Sequence, residues 1–341
     1  MTTTVKPVAS VPAAQQAGKP GQAGEVSRWK DPRYLALRNF AISISVFNIF
    51  GYTVLGWEQP YLWPIFAVIT AYATEAVFEV ISARVEHRKP GFLGEGPKAG
   101  MTFFLPAHIT GLAANMLLYA NNQWWPVMFC VVVAVAQKHV LRAPIKGRMR
   151  HYMNPSNLGI VVSLLVLGNW VSISPPYMFT EWANSYFRLM IPMIILTAGT
   201  VLNALLTKKT PLIVGWMGAF AIQAFLRHLI FGVQLNTALS VMTGVAFVLF
   251  SNYMITDPAT TPSKPMAMFM FGSATAFVYG ILMAFNIVYT LFYALAIVCA
   301  VRGIGWWVAS FISKRSQRQA TTAVAAVGQV DARVGEQAVA S

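Results

Sequence analysis

Between residues 35 and 311 the chain alternates long apolar runs with short polar connections, and the runs are near the length that a bilayer requires. Ten segments can be marked: 35–57, 60–82, 101–120, 124–141, 157–173, 186–206, 211–231, 235–255, 266–284 and 286–311. The third and fifth are short or weakly bounded. Pro64, Pro106, Pro126 and Pro192 fall near segment starts, where a missing amide proton costs least. The pattern predicts an all-α polytopic membrane protein of ten transmembrane helices over 31–313. Residues 1–30 lack the apolar core of a signal peptide and are expected to form a disordered cytoplasmic tail, as are residues 314–341.

Ten segments divide into two units of five, 35–173 and 186–311, and an odd-numbered unit that duplicates must insert in opposite senses, giving inverted repeats. A faint internal likeness sits at equivalent places: Ile109-Thr-Gly-Leu-Ala113 on the third segment and Met242-Thr-Gly-Val-Ala246 on the eighth. Each half is also interrupted. Asn252 to Pro265 is polar and broken by proline, and His151-Tyr-Met-Asn-Pro-Ser-Asn-Leu-Gly159 is its upstream counterpart. Irregular backbone at membrane depth survives only where it is buried in protein or lines a cavity, so the two breaks point to a site between the halves.

Composition narrows the class. With 56% apolar residues, 11% charged residues and a mean hydropathy of +0.56, the 341-residue chain is no ordinary soluble enzyme. The net charge of +14 does not indicate nucleic acid, because the basic residues sit at the ends of apolar runs rather than on a stripe. All but two of the 25 lysines and arginines, Arg188 and Arg227, fit one orientation, with both termini cytoplasmic in a bacterial inner membrane. The two cysteines, Cys130 and Cys299, lie inside apolar runs and suggest neither disulfide nor thiolate metal site.

Few residues can carry chemistry, and each admits a plain alternative. Asp257, beside Thr256, Thr260 and Thr261, is placed to bind a cation or orient a cofactor, or simply to close a turn before Pro258. Asn154 repeats that geometry without charge and can cap the helix that follows Pro155. Glu75 and Glu79, four apart in the second segment, face one way, and Glu75 is deep enough for ion or proton handling or for a hydrogen bond to another span. His108, just after Pro106, is a ligand candidate or a structural group. The basic run from Lys138 to Arg150 touches anionic headgroups or holds a phosphate or a partner. No metal constellation, phosphate-binding glycine loop or nucleophile elbow is present, so no catalytic residue is assigned.

Together these landmarks resemble a known family. Thr110-Gly111 in the third segment, Lys138 after the fourth, the basic linker into Asn154-Pro155, and Thr256-Asp257-Pro258 followed by Thr261-Pro262 are similar to the NqrB/RnfD family, the flavin-bearing membrane proteins of the sodium-translocating NADH:quinone reductase and of Rnf-type electron-transport complexes. The likeness runs over about 60–310. It implies ten helices in two inverted five-helix repeats, a third span broken at Thr110-Gly111, flavin chemistry at the matching residues, and electron flow coupled to Na⁺ or H⁺. Members of that family carry covalent FMN on a Ser-Gly-Ala-Thr motif after the Asn-Pro element. Here Thr197-Ala-Gly-Thr200 differs in order and Gly272-Ser-Ala-Thr275 lies beyond the second motif, so any FMN or riboflavin is expected to be held without a covalent bond. Without an anchored flavin the scaffold also resembles a divergent branch associated with enediyne-type biosynthesis. Two expectations follow: an electron-transport subunit with redox partner subunits, or a non-redox transporter or docking protein for a small molecule or cation.

Overall fold

The computed structural model describes residues 32–94, 97–145, 147–174 and 185–339. A helix follows each apolar segment. In the first half α1 is Pro32–Thr53, α2 Trp63–Val85, α3 Pro97–Leu117, α4 Trp125–Val140 and α5 Pro155–Val166. In the second half α6 is Ser185–Val201, widening into a π turn at Leu202–Thr207, and α7 is Thr210–Phe231. The eighth segment holds α8, Leu235–Ser240, and α9, Val245–Leu249, which ends in a π turn at Phe250–Met254. Then come α10, Pro265–Ala284, and α11, Thr290–Val339. Proline occupies the first turn of α2, α4, α5, α7 and α10, where no helical hydrogen bond is lost. The stretch assigned to a C-terminal tail, 314–341, is helical as far as Val339, whereas 1–30 lies outside the described residues.

Not every helix has the length of a span. Among the described residues four helices are long and apolar enough to cross a membrane: α2, α7, α10 and the Thr290–Gln317 part of α11. The pair Leu235–Thr243 and Val245–Met254, bent by 61°, brings the number to five if it counts as one broken span. By contrast α5, with 12 residues, is only ~18 Å long, against a hydrocarbon thickness of ~30 Å. Its segment was expected to run to 173. Gly168 and Asn169 stop it early, and the chain instead forms a short strand, β4 (Ser172–Ile173), antiparallel to β1 (Leu118–Tyr119).

One local expectation needs correcting. The third segment is not broken at Thr110-Gly111: α3 is continuous there, with Thr110 Oγ1 donating back to Pro106 O at 2.7 Å. Gly111 serves close packing instead, since a Cβ at that position would stand 2.9 Å from Ala67 O of α2. The break falls at the second Thr-Gly, where Gly244 is extended (φ −74°, ψ 144°) between the two limbs of the eighth segment. Arg142–Ile145 (β2) and Arg148–His151 (β3) form an antiparallel hairpin, turned by Gly147 at φ +76°.

Three of the packing contacts within the first half have a counterpart in the second, whereas those of α3 with α4 and α5 have none. The first segment lies against the third (α1 on α3, α6 on α9), the second against the fourth (α2 on α4, α7 on α10), and the fourth against the fifth (α4 on α5, α10 on α11). Between halves, α1 meets the π turn of α6, and α5 meets α11. One core runs through both halves, and the first contributes the alanines Ala67, Ala71, Ala107 and Ala114. The second fills it with rings: Trp216 stacks on Phe247 at 5.5 Å and Phe220 meets Phe247 edge-on at 4.8 Å. Ile42, Val46, Ile69, Val77, Leu226, Phe277 and Val301 face outward, an apolar exterior suited to lipid.

Candidate functional site: a charged junction between the halves

Asn154 is the point at which the two interrupted stretches meet. Its backbone is extended (φ −66°, ψ 125°), which frees the side chain to cap α5: Oδ1 accepts from Asn157 N at 3.0 Å and from Ser156 Oγ at 3.2 Å. The other end of the amide, Nδ2, donates to Met254 O at 3.0 Å. Two residues earlier, Asn252 O accepts from Asn203 Nδ2 at 2.7 Å and from Thr256 Oγ1 at 2.6 Å. The π turn at 250–254 disturbs the regular helical ladder, and its carbonyls are taken up by side chains from both halves. Asn157 adds a further tie, donating to Phe292 O of α11 at 3.0 Å.

Asp257 follows directly. Its Oδ1 accepts from Ala259 N at 3.1 Å and its Oδ2 from Thr260 Oγ1 at 2.8 Å, while its main-chain oxygen accepts from Thr261 Oγ1 at 2.6 Å. This is an Asx-type turn, and it sets the carboxylate at the junction. Two cations surround it that sequence reasoning passed over. Lys209, only 4% exposed, donates Nζ to Pro262 O at 2.7 Å. Arg302 donates to Thr260 O and lies over the Phe271 ring at 5.8 Å from its centroid. Among the described residues neither has a carboxylate within ion-pair distance. Burial pushes the Lys209 ammonium down to about 8, with the Asp257 carboxylate opposing and Arg302 reinforcing the shift.

Glu75 and Lys138 form a second charged group. Lys138 Nζ is 2.7 Å from Glu75 Oε2, with side-chain exposures of 9% and 12%, and His139 Nε2 lies 3.6 Å from Glu75 Oε1. Glu79, one turn on, binds Arg88 and accepts from Gly91 N at 2.7 Å. His151, at the end of the hairpin, links the groups: burial lowers its pKa, Asp257 and Glu75 oppose that, and Lys138 and Arg142 add to it. Asn154, Pro155, Thr256, Asp257 and Thr261 therefore gather at one junction, with Lys138 and Glu75 in electrostatic reach through His151.

Two expected residues stand apart. Thr110 is taken up within α3, and His108 is held by Ser45 Oγ at 2.7 Å and Tyr72 OH at 2.9 Å. A cavity of about 460 Å³ opens between the hairpin and α11, but neither Asn154 nor Asp257 lines it. Among the described residues no three His, Cys, Asp or Glu side chains converge as a metal site. Arg302 carried a usable signal in the sequence, being the sole charged residue in its apolar segment. Lys209 carried none, since it reads as one more basic residue in a connection. No family model matches the chain, and no curated protein matches it.

Proposed function

We propose that this protein is the membrane subunit of an electron-transport system that passes electrons through non-covalently bound flavin, with Na⁺ or H⁺ movement coupled to that flow. The observation that carries this reading is the Asn154 Nδ2 to Met254 O hydrogen bond, which joins the two proline motifs on which the family resemblance rests. The three repeated packing contacts support ten spans in two inverted repeats. Contacts between halves pair the first segment with the sixth and the fifth with the tenth, and contacts between equivalent elements are compatible with a two-fold relation whose axis passes between them. The donor set suits a flavin phosphate: Lys209 is buried and Arg302 half-buried, both have carbonyl partners, and among the described residues neither is ion-paired to a carboxylate. Asn154, Thr256, Asp257 and Thr261 would stand around the same ligand. FMN or riboflavin would supply the redox chemistry there, and partner subunits would supply electron donor and acceptor. A bacterial inner membrane with both termini cytoplasmic completes the proposal.

One observation favours a second reading. The 61° break in the eighth segment resembles the discontinuous helices of transporters, so the junction could serve a small molecule or cation without redox change, in a transporter or docking protein of natural-product biosynthesis. Cofactor analysis of detergent-purified protein separates the two. A yellow protein that releases flavin on denaturation is the expected result. Colourless protein that moves solute across vesicle membranes supports the second reading instead. Asp257→Asn should abolish binding in either case, and unchanged binding would reduce Asp257 to its turn.

A further inference from the structure

We propose that the cavity between the β2–β3 hairpin and α11 binds the headgroup of an anionic phospholipid. At about 460 Å³ it has the volume of a small-ligand site. Arg148 enters from the hairpin and Lys314 from α11, Ser310 and Ser313 add hydroxyls, and no acidic residue lines the space. Among the described residues neither cation has an ion-pair partner. Met149 and Trp306 form apolar wall. The lining therefore offers positive charge and hydrogen-bond donors to a phosphate, beside surface that suits the glycerol backbone.

The position selects a lipid over a free anion. On the same helix Ile304, Val308, Phe311 and Ile312 are all more than half exposed, and Lys314 and Arg315 follow immediately. The cavity sits where the exterior of α11 changes from apolar to basic. That is the level of the headgroups when the apolar part lies in hydrocarbon, and an acyl chain can run along the outward aliphatic side chains while its phosphate stays between Arg148 and Lys314. The inference does not depend on whether the junction holds flavin.

The test is native mass spectrometry of the full chain in detergent, titrated with phosphatidylglycerol or phosphatidylcholine of identical acyl chains. Phosphatidylglycerol should bind at least tenfold more tightly. Arg148→Gln combined with Lys314→Gln should weaken it about thirtyfold, whereas Arg84→Gln, a charge removed elsewhere, should not. Circular dichroism and the melting temperature of each variant serve as the check on folding. Equal binding of the two lipids, an unchanged preference in the double variant, or an equal loss with Arg84→Gln would overturn the proposal. Competition by soluble glycerol phosphate as effective as that by the lipid would overturn the lipid assignment in favour of a free anion.

Discussion

The side-chain amide of Asn154 donates to the main-chain carbonyl of Met254 at 3.0 Å, linking positions 100 residues apart. The same side chain caps α5, so its two ends have separable roles. Asn154→Asp keeps the acceptor for Asn157 N but replaces the donor with an oxygen facing a carbonyl. It should cost about 1–3 kcal/mol, the penalty for a buried polar group left unsatisfied. Asn154→Ala should add the loss of the cap, roughly a further 1 kcal/mol. Thermal unfolding in micelles reads both, and an aspartate variant as stable as the parent would show that the bond between the halves contributes nothing.

Glu75 and Lys138 form an ion pair at 2.7 Å with little solvent around it. Removing one partner strands the other charge, so Glu75→Leu and Lys138→Met should each destabilise by roughly 3–5 kcal/mol. Replacing both, Glu75→Leu with Lys138→Met, should recover most of that loss, because apolar groups of similar volume avoid the desolvation cost. A double-mutant cycle on unfolding midpoints measures the coupling. If an ion passes through this pair, the double variant will be stable yet inactive in transport, which distinguishes a functional pair from a structural one.

The helices themselves were legible because hydrophobic run length and first-turn prolines are local properties. Asn154 was recognisable as a cap for the same reason. What the chain order conceals is partnership. Nothing in the letters ties Lys138 to Glu75 across 63 positions, or Asn203 to the carbonyl of Asn252, and the short α5 depended on a Gly168-Asn169 stop inside an apolar run. The hairpin at Arg142–His151 was hidden by its basic composition, which reads as a solvated linker although Gly147 supplies its turn. Thr110-Gly111 and Thr243-Gly244 look alike, but neighbouring packing keeps the first helical while the second opens.

Lys209 provides a pH signature for the junction. Its folded value of about 8 lies below its ordinary value of 10.5, so folding disfavours the charged form. Between those limits the unfolded chain holds more protons than the folded one, and stability should therefore rise with pH across the window from about 8 to 10.5. Lys209→Met should flatten that rise. Amine-specific labelling of folded protein should show Lys209 reacting with a midpoint near 8. Asp257→Asn, which removes the opposing carboxylate, should move the midpoint lower still, whereas an unmoved midpoint would mean that Asp257 does not act on Lys209.

The pairing of α7 with α10 depends on two glycines that face one another's helices. A Cβ at Gly215 would fall inside van der Waals contact of Phe269 O, and one at Gly272 would do the same to Leu212 O. Both obstacles are backbone, which cannot rotate away as a side chain would. Gly215→Ala and Gly272→Ala should therefore each destabilise by about 1–3 kcal/mol by forcing the helices apart. Gly218, on the same helix with nothing within 4 Å of its added Cβ, is the control: Gly218→Ala should be neutral or slightly stabilising through better helix propensity. Because Trp216 adjoins Gly215 and donates Nε1 to Ser251 Oγ at 2.8 Å, separation of α7 and α10 should also shift the fluorescence of a variant that keeps Trp216 as its sole tryptophan.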